Sequence, residues 1–171
     1  GKILTWNKKP INTVYHATNG GVMASVDEAW SINQVPYLQM RLDGPKHWAG
    51  SVDLPLSNEK YLKSFLFSKS EAFGSDHPLF RWERTIESSQ ISKQLKKAQK
   101  VGSSFYPYKI EVLRRGSSGR VTSLKIEGKS GSKILLKLDD IRRVLRELPS
   151  TLFVVKEIKE GKWLFSGGGF G

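Results

Sequence analysis

In the last third of the chain, apolar and polar residues alternate with a period of two. Residues 108–114 place Ile110 and Val112 on one side, and residues 120–127 set Thr122, Leu124 and Ile126 against Val121, Ser123, Lys125 and Glu127. Successive side chains of a strand point to opposite faces, so the alternation predicts strands. Gly116-Ser117-Ser118-Gly119 and residues 128–131 supply turns, and a third strand over 132–138 completes an antiparallel meander. The period then changes. Ile141, Val144, Leu145 and Leu148 recur at i, i+3, i+4 and i+7, the spacing of one helix face. Asp139 and Asp140 suit the positive end of that helix, and Pro149 stops it. Residues 152–158 and 162–165 predict a last strand pair around Glu160-Gly161.

Earlier segments are shorter. Residues 3–6 and 11–17 read as a strand pair turned by residues 7–10, with Val14 and His16 on one face of the second strand. Thr18-Asn19-Gly20-Gly21 follows, and its glycines permit positive φ or close backbone approach. Residues 36–55 look irregular and hold His47 and Trp48. A helix from Ser57 or Asn58 would carry Tyr61, Leu62, Phe65 and Leu66 as its apolar stripe. Residues 79–86 predict a strand. Ser88 or Ser89 can cap a helix that buries Ile91, Leu95 and Ala98. The expected fold class is α+β, mainly antiparallel sheet with two or three helices, as one domain over 1–171 with no repeat and no linker.

Composition narrows the chemistry. A chain of 171 residues buries about 70 % of its unfolded surface, and eighteen Phe, Tyr and Trp give it a core. It has no cysteine, which excludes disulfides, Fe–S clusters, thiolate zinc sites and thiol nucleophiles. No apolar run reaches the roughly 20 residues of a membrane span. The net charge of +12 favours an anionic partner: nucleic acid, acidic glycan, wall polymer or anionic lipid. The cations cluster at Lys93, Lys96, Lys97 and Lys100, at Lys109, Arg114, Arg115 and Arg120, and at Arg142, Arg143 and Arg146. No zinc-finger spacing, basic heptad or RNP-type motif accompanies them, so nucleic acid is not favoured. His16, His47 and His77 are scattered, and no P-loop, HExxH or GxSxG context is present.

Several stretches nevertheless form an ordered set. Thr13-Val14-Tyr15-His16-Ala17-Thr18-Asn19-Gly20-Gly21 resembles the "yHstsGG" stretch of the SpoIID/LytB family. Ahead of it, residues 1–6 and Lys9-Pro10-Ile11 resemble that family's first strand pair. After it, Asp27-Glu28-Ala29-Trp30 and Val35-Pro36-Tyr37-Leu38 are similar to its "e-x-x-W … pYL" element. Phe80-Arg81-Trp82-Glu83-Arg84 with residues 91–95 resembles a strand and helix of the family, and Ser118-Gly119-Arg120-Val121 its "SGRv" hairpin. Ser166-Gly167-Gly168-Gly169-Phe170-Gly171 resembles the run that precedes the family's "HGVGMSQ" signature.

The resemblance implies a SpoIID-like domain cut at both ends. Such proteins are peptidoglycan lytic transglycosylases, and LytB-like relatives are amidase enhancers. The family's catalytic glutamate sits in an upstream "EALKAQAvaaRtya" helix that nothing in this chain matches, so no catalytic residue is assigned. The substrate-binding residues it implies are His16, Thr18, Asn19, Gly20 and Gly21, with the glycines admitting a sugar. Trp82 is expected to stack on a ring, and Arg84 to pair with a muramyl lactyl carboxylate. Expected partners are peptidoglycan glycan strands and a cell-wall amidase, in the cell envelope outside the cytoplasmic membrane. No cofactor is expected. Family members can hold zinc near this His with cysteines, which this chain lacks. A wall-binding module without catalysis and a basic nucleic-acid-binding domain are the alternatives.

Overall fold

The computed structural model describes residues 2–30 and 32–171. Gly1, the first residue of the family-like stretch, lies outside them. β1 (Thr5–Trp6) and β2 (Lys9–Pro10) form a hairpin through Asn7 and Lys8, both at positive φ (49° and 63°), as a tight two-residue turn requires. The strand expected over 11–17 does not form. Residues 12–17 are exposed and join no sheet among the described residues, and the chain is next tied down at Ala17 and Thr18, which pair with Phe170. β3 (Val22–Met23) pairs with β4 (Arg41–Leu42), and α1 (Val26–Ala29) lies between them in sequence. The stretch expected to be irregular thus holds β4 and α2 (Lys46–Ala49), each short.

α3 (Glu59–Phe67) starts where Asn58 accepts a hydrogen bond from Lys60 N at 2.9 Å, and it buries Leu62, Phe65 and Leu66. β5 (Trp82–Glu87) begins three residues later than the pattern predicts, because residues 77–80 close a turn with Phe80 N on His77 O. α4 (Ser88–Lys97) is capped by Glu87, in a reciprocal capping box with Gln90, and not by a serine. Ser88 Oγ instead points inward and accepts from Trp163 Nε1 at 3.0 Å. β6 (Pro107–Arg115), β7 (Val121–Gly128) and β8 (Lys133–Lys137) form the expected antiparallel meander. α5 (Asp140–Val144) stops early, yet Leu145 and Leu148 remain buried in the turn that follows. β9 (Phe153–Lys159) and β10 (Lys162–Gly167) form the last hairpin, and β5 adds to it in the order β5-β10-β9.

The class is α+β, with every strand pair antiparallel. α3 and α4 are the two longer helices, of nine and ten residues, while α1, α2 and α5 are single turns. The sheet β5-β10-β9 divides the interior. Phe153, Trp163 and Phe165 face a core shared with α4, α5 and the meander; Leu152 and Val154 face a second core with Leu62, Phe65, Leu66 and Phe80. A strand buried on both faces needs apolar residues in succession, as residues 152–155 supply. No helix among the described residues is long and apolar enough to cross a membrane.

Candidate functional site

The segment through Thr18 runs against the end of the chain. Ala17 N donates to Phe170 O at 3.1 Å, and Phe170 N donates to Thr18 O at 2.7 Å. The two backbones approach this closely because both carry glycine. A Cβ on Gly20, at φ +71°, would sit 2.8 Å from Gly168 C and Gly169 N. One on Gly169, at φ +84°, would sit 3.0 Å from Thr18 O and Asn19 C. Ser150 Oγ donates to Gly168 O at 2.6 Å and fixes the second strand from behind.

Between this pairing and α1 lies an open cleft of about 160 Å³. His16, Thr18, Asn19, Ser25, Arg120 and Ser150 contribute its polar groups, and Tyr15, Trp30 and Phe170 its aromatic ones. Arg120 follows the β6–β7 turn. Its Nη1 donates to Val22 O (3.0 Å) and Ser118 Oγ (3.2 Å), and its Nη2 to Asn19 O (3.1 Å). Burial lowers its pKa to about 10 while Glu28 pulls the other way, so it remains a cation at neutral pH. Glu28 is itself buried behind the cleft. Ser117 Oγ donates to it at 2.8 Å, and Ser118 N and Ser118 Oγ donate to it as well. Loss of water around His16, and then the Arg120 charge, hold its pKa below the ordinary 6.5; Asp43 works against both.

The sequence-derived candidates divide. His16 and Thr18 line the cleft. Asn19 lines it too, but its side chain is spent on Gly21 N (2.8 Å) and Asp43 Oδ2 (2.6 Å). Gly20 and Gly21 are buried. The space beside Gly20 is filled by the Gly168–Gly169 backbone, and that beside Gly21 by Ala72, Phe80 and Phe65, so these glycines admit protein and not an incoming sugar. Trp82 is a core residue, 5 % exposed, whose Nε1 donates to Gly169 O at 3.0 Å. Arg84 sits on β5 with Nη1 on Glu83 O. Neither lines the cleft. Arg120, Tyr15, Trp30 and Phe170 take their place. All four lie inside stretches that carry the family resemblance, so the signal was present, but it did not separate wall residues from packing residues.

Among the described residues no Asp or Glu side chain lines the cleft, and no group of three His, Asp or Glu is placed to hold a metal. His47 Nε2 pairs with Glu71 at 2.9 Å, and His77 Nδ1 accepts from Leu79 N at 3.0 Å; both lie away from the cleft. Residues 24–171 match a family model described as a domain of unknown function (DUF8618), and the chain belongs to that family. No curated protein matches it.

Proposed function

We propose that this DUF8618 domain is the glycan-binding part of a SpoIID-like cell-wall protein, and that it holds a peptidoglycan strand in the cleft beside His16. The observation that supports this best is the Thr18–Phe170 bridge. It joins the two most family-like stretches of the sequence, which are far apart along the chain, into the wall of one cleft. A cation and three exposed aromatic side chains around that cleft suit a sugar polymer that bears acidic groups. The corresponding location is the cell envelope, outside the cytoplasmic membrane.

Binding is the better supported half of the reading. Lytic cleavage needs a carboxyl group that protonates the glycosidic oxygen and then, as carboxylate, helps the muramyl C6 hydroxyl attack C1. Glu28 cannot serve from its present position, because it lies behind the cleft and is held by Ser117 and Ser118. Cleavage therefore depends on an acid from another segment, and a purely binding or amidase-enhancing role requires none.

The +12 charge favours a second reading, nucleic-acid binding. α4 and the α5 region lie side by side, joined by Lys100–Asp140 (3.1 Å) and Gln94–Glu147 (3.0 Å), which brings two basic clusters onto neighbouring elements. Co-sedimentation with purified peptidoglycan, before and after amidase removal of stem peptides and with excess DNA, separates the two. Binding to the stripped glycan is expected to resist DNA, and His16→Ala is expected to weaken it with no change in melting. Binding abolished by DNA or by moderate salt overturns the glycan reading, since polyanion contacts are steeply salt-dependent.

A further inference from the structure

We infer that the cleft is a subsite for one sugar ring bearing a carboxylate, with Arg120 receiving the carboxylate and Tyr15, Trp30 and Phe170 covering the ring. This rests on the glycan-binding reading above and adds which chemical group the cleft selects and which residues select it.

The charge argument starts from Arg120. A guanidinium has five N–H donors, and three are given to Val22 O, Ser118 Oγ and Asn19 O. Among the described residues, Nε–H and the second Nη2–H have no protein acceptor, so two donors remain for a bound oxyanion. The Glu28 carboxylate does not compete for them, because both of its oxygens are engaged by Ser117 and Ser118. The guanidinium is also pre-oriented: three hydrogen bonds to separate elements fix its plane before any ligand arrives. Such a held cation, partly removed from water, binds a carboxylate more strongly than a surface lysine can.

The ring argument starts from the rim. Tyr15 is 97 % exposed, Phe170 42 % and Trp30 40 %, and all three border the same small cleft. Large aromatic faces left in water around one opening are costly for a free domain and suit the apolar C–H face of a pyranose. Ser150 and Thr18 add neutral hydrogen-bonding groups between rim and floor. His16 and Arg120 line the same cleft, and the Arg120 charge lowers the His16 pKa while the Asp43 charge raises it. An anion seated on Arg120 offsets part of the positive charge that His16 meets, so the imidazole reports carboxylate binding by titrating at higher pH.

The test is an NMR titration of the whole chain with N-acetylmuramic acid, its methyl ester and N-acetylglucosamine, following the His16 imidazole. The acid is expected to bind about tenfold more tightly than the ester, the scale of one charge-assisted contact. Only the acid should raise the His16 pKa. Tyr15→Ala should weaken all three sugars several-fold and leave their ratio unchanged, while Arg120→Lys should collapse the acid-to-ester ratio. Equal binding of acid and ester overturns the carboxylate assignment and leaves glycan binding standing. Binding of none of the three overturns both. A tenfold ratio that persists in an Arg120→Lys protein melting like the parent also overturns the assignment. Should that variant not fold, the acid-to-ester ratio and the His16 shift in the unaltered chain decide.

Discussion

Gly20 and Gly74 separate two costs that a glycine can hide. Both sit at positive φ, +71° and +69°, but a Cβ on Gly74 meets nothing within 4 Å, whereas one on Gly20 meets the Gly168–Gly169 backbone at 2.8 Å. Gly74→Ala should therefore lose only the backbone term, about 1 kcal/mol. Gly20→Ala should lose about 3 kcal/mol or more, because neither backbone can yield without breaking the Thr18–Phe170 pairing. Urea denaturation of the two variants checks the contrast. His16 carries a separate, pH-dependent prediction. Its folded-state pKa lies below the unfolded 6.5, so the unfolded chain takes up the proton first as pH falls. Its contribution is constant above that value and turns destabilising as pH drops through 6.5 towards the folded pKa. The ring is only partly withdrawn from water and much of the residue remains exposed, so solvent screening keeps the effect small. His16→Asn should flatten that part of the stability profile, measured by thermal melts between pH 7.5 and 5. At this scale the sequence was legible in kind more than in role. His16 and Thr18 do line a cleft, but Trp82 is core. Residue type alone does not distinguish an indole that stacks on a ligand from one that is buried in a core.

Arg81 shows how a helix end can be closed by a distant side chain. Its Nε donates to Leu66 O (3.0 Å) and its Nη2 to Phe65 O (3.1 Å), both carbonyls of the last turn of α3. Its Nη1 reaches Gly20 O (2.8 Å) and Phe80 O (2.9 Å), and the guanidinium lies over the Phe80 ring, 4.2 Å from its centroid. Burial lowers its pKa to about 10, and four carbonyls take the place of a counter-ion. Arg81→Met should cost about 3 kcal/mol and loosen both α3 and the Gly20 loop, because it takes the Arg81 donors from Phe65 O, Leu66 O and Gly20 O, while Phe80 O keeps Gly169 N. Hydrogen exchange at the C-terminal half of α3 reads this directly. Elements held by local pattern were legible: the meander, the last hairpin, and α3 with its Asn58 cap. The cap of α4 was not, because a serine's choice between backbone and core depends on Trp163, which lies 75 residues further on. The 11–17 segment failed for a similar reason. Its alternation is that of a strand, but among the described residues no strand pairs with it.

The sheet β5-β10-β9 makes the two cores interdependent. Phe153 is fully buried on one side, and its neighbours Leu152 and Val154 on the other, so strain on one face is transmitted through a single strand. Phe153→Ala should cost about 4 kcal/mol and shift the unfolding of both cores together. Transitions followed at Trp163 in one core and Trp48 in the other should coincide, and two separated midpoints would disprove the coupling. The Thr18–Phe170 bridge has a further consequence, for the order in which the molecule comes into being. The bridge closes a loop of about 150 residues, among the longest-range contacts in the chain, and such contacts repay their closure entropy only after the intervening structure has formed. During synthesis the His16 segment must wait until the Phe170 segment, about 150 residues later, has left the ribosome. The cleft is therefore a mark of completed folding: a chain in which residues 18 and 170 have not met has no such cleft.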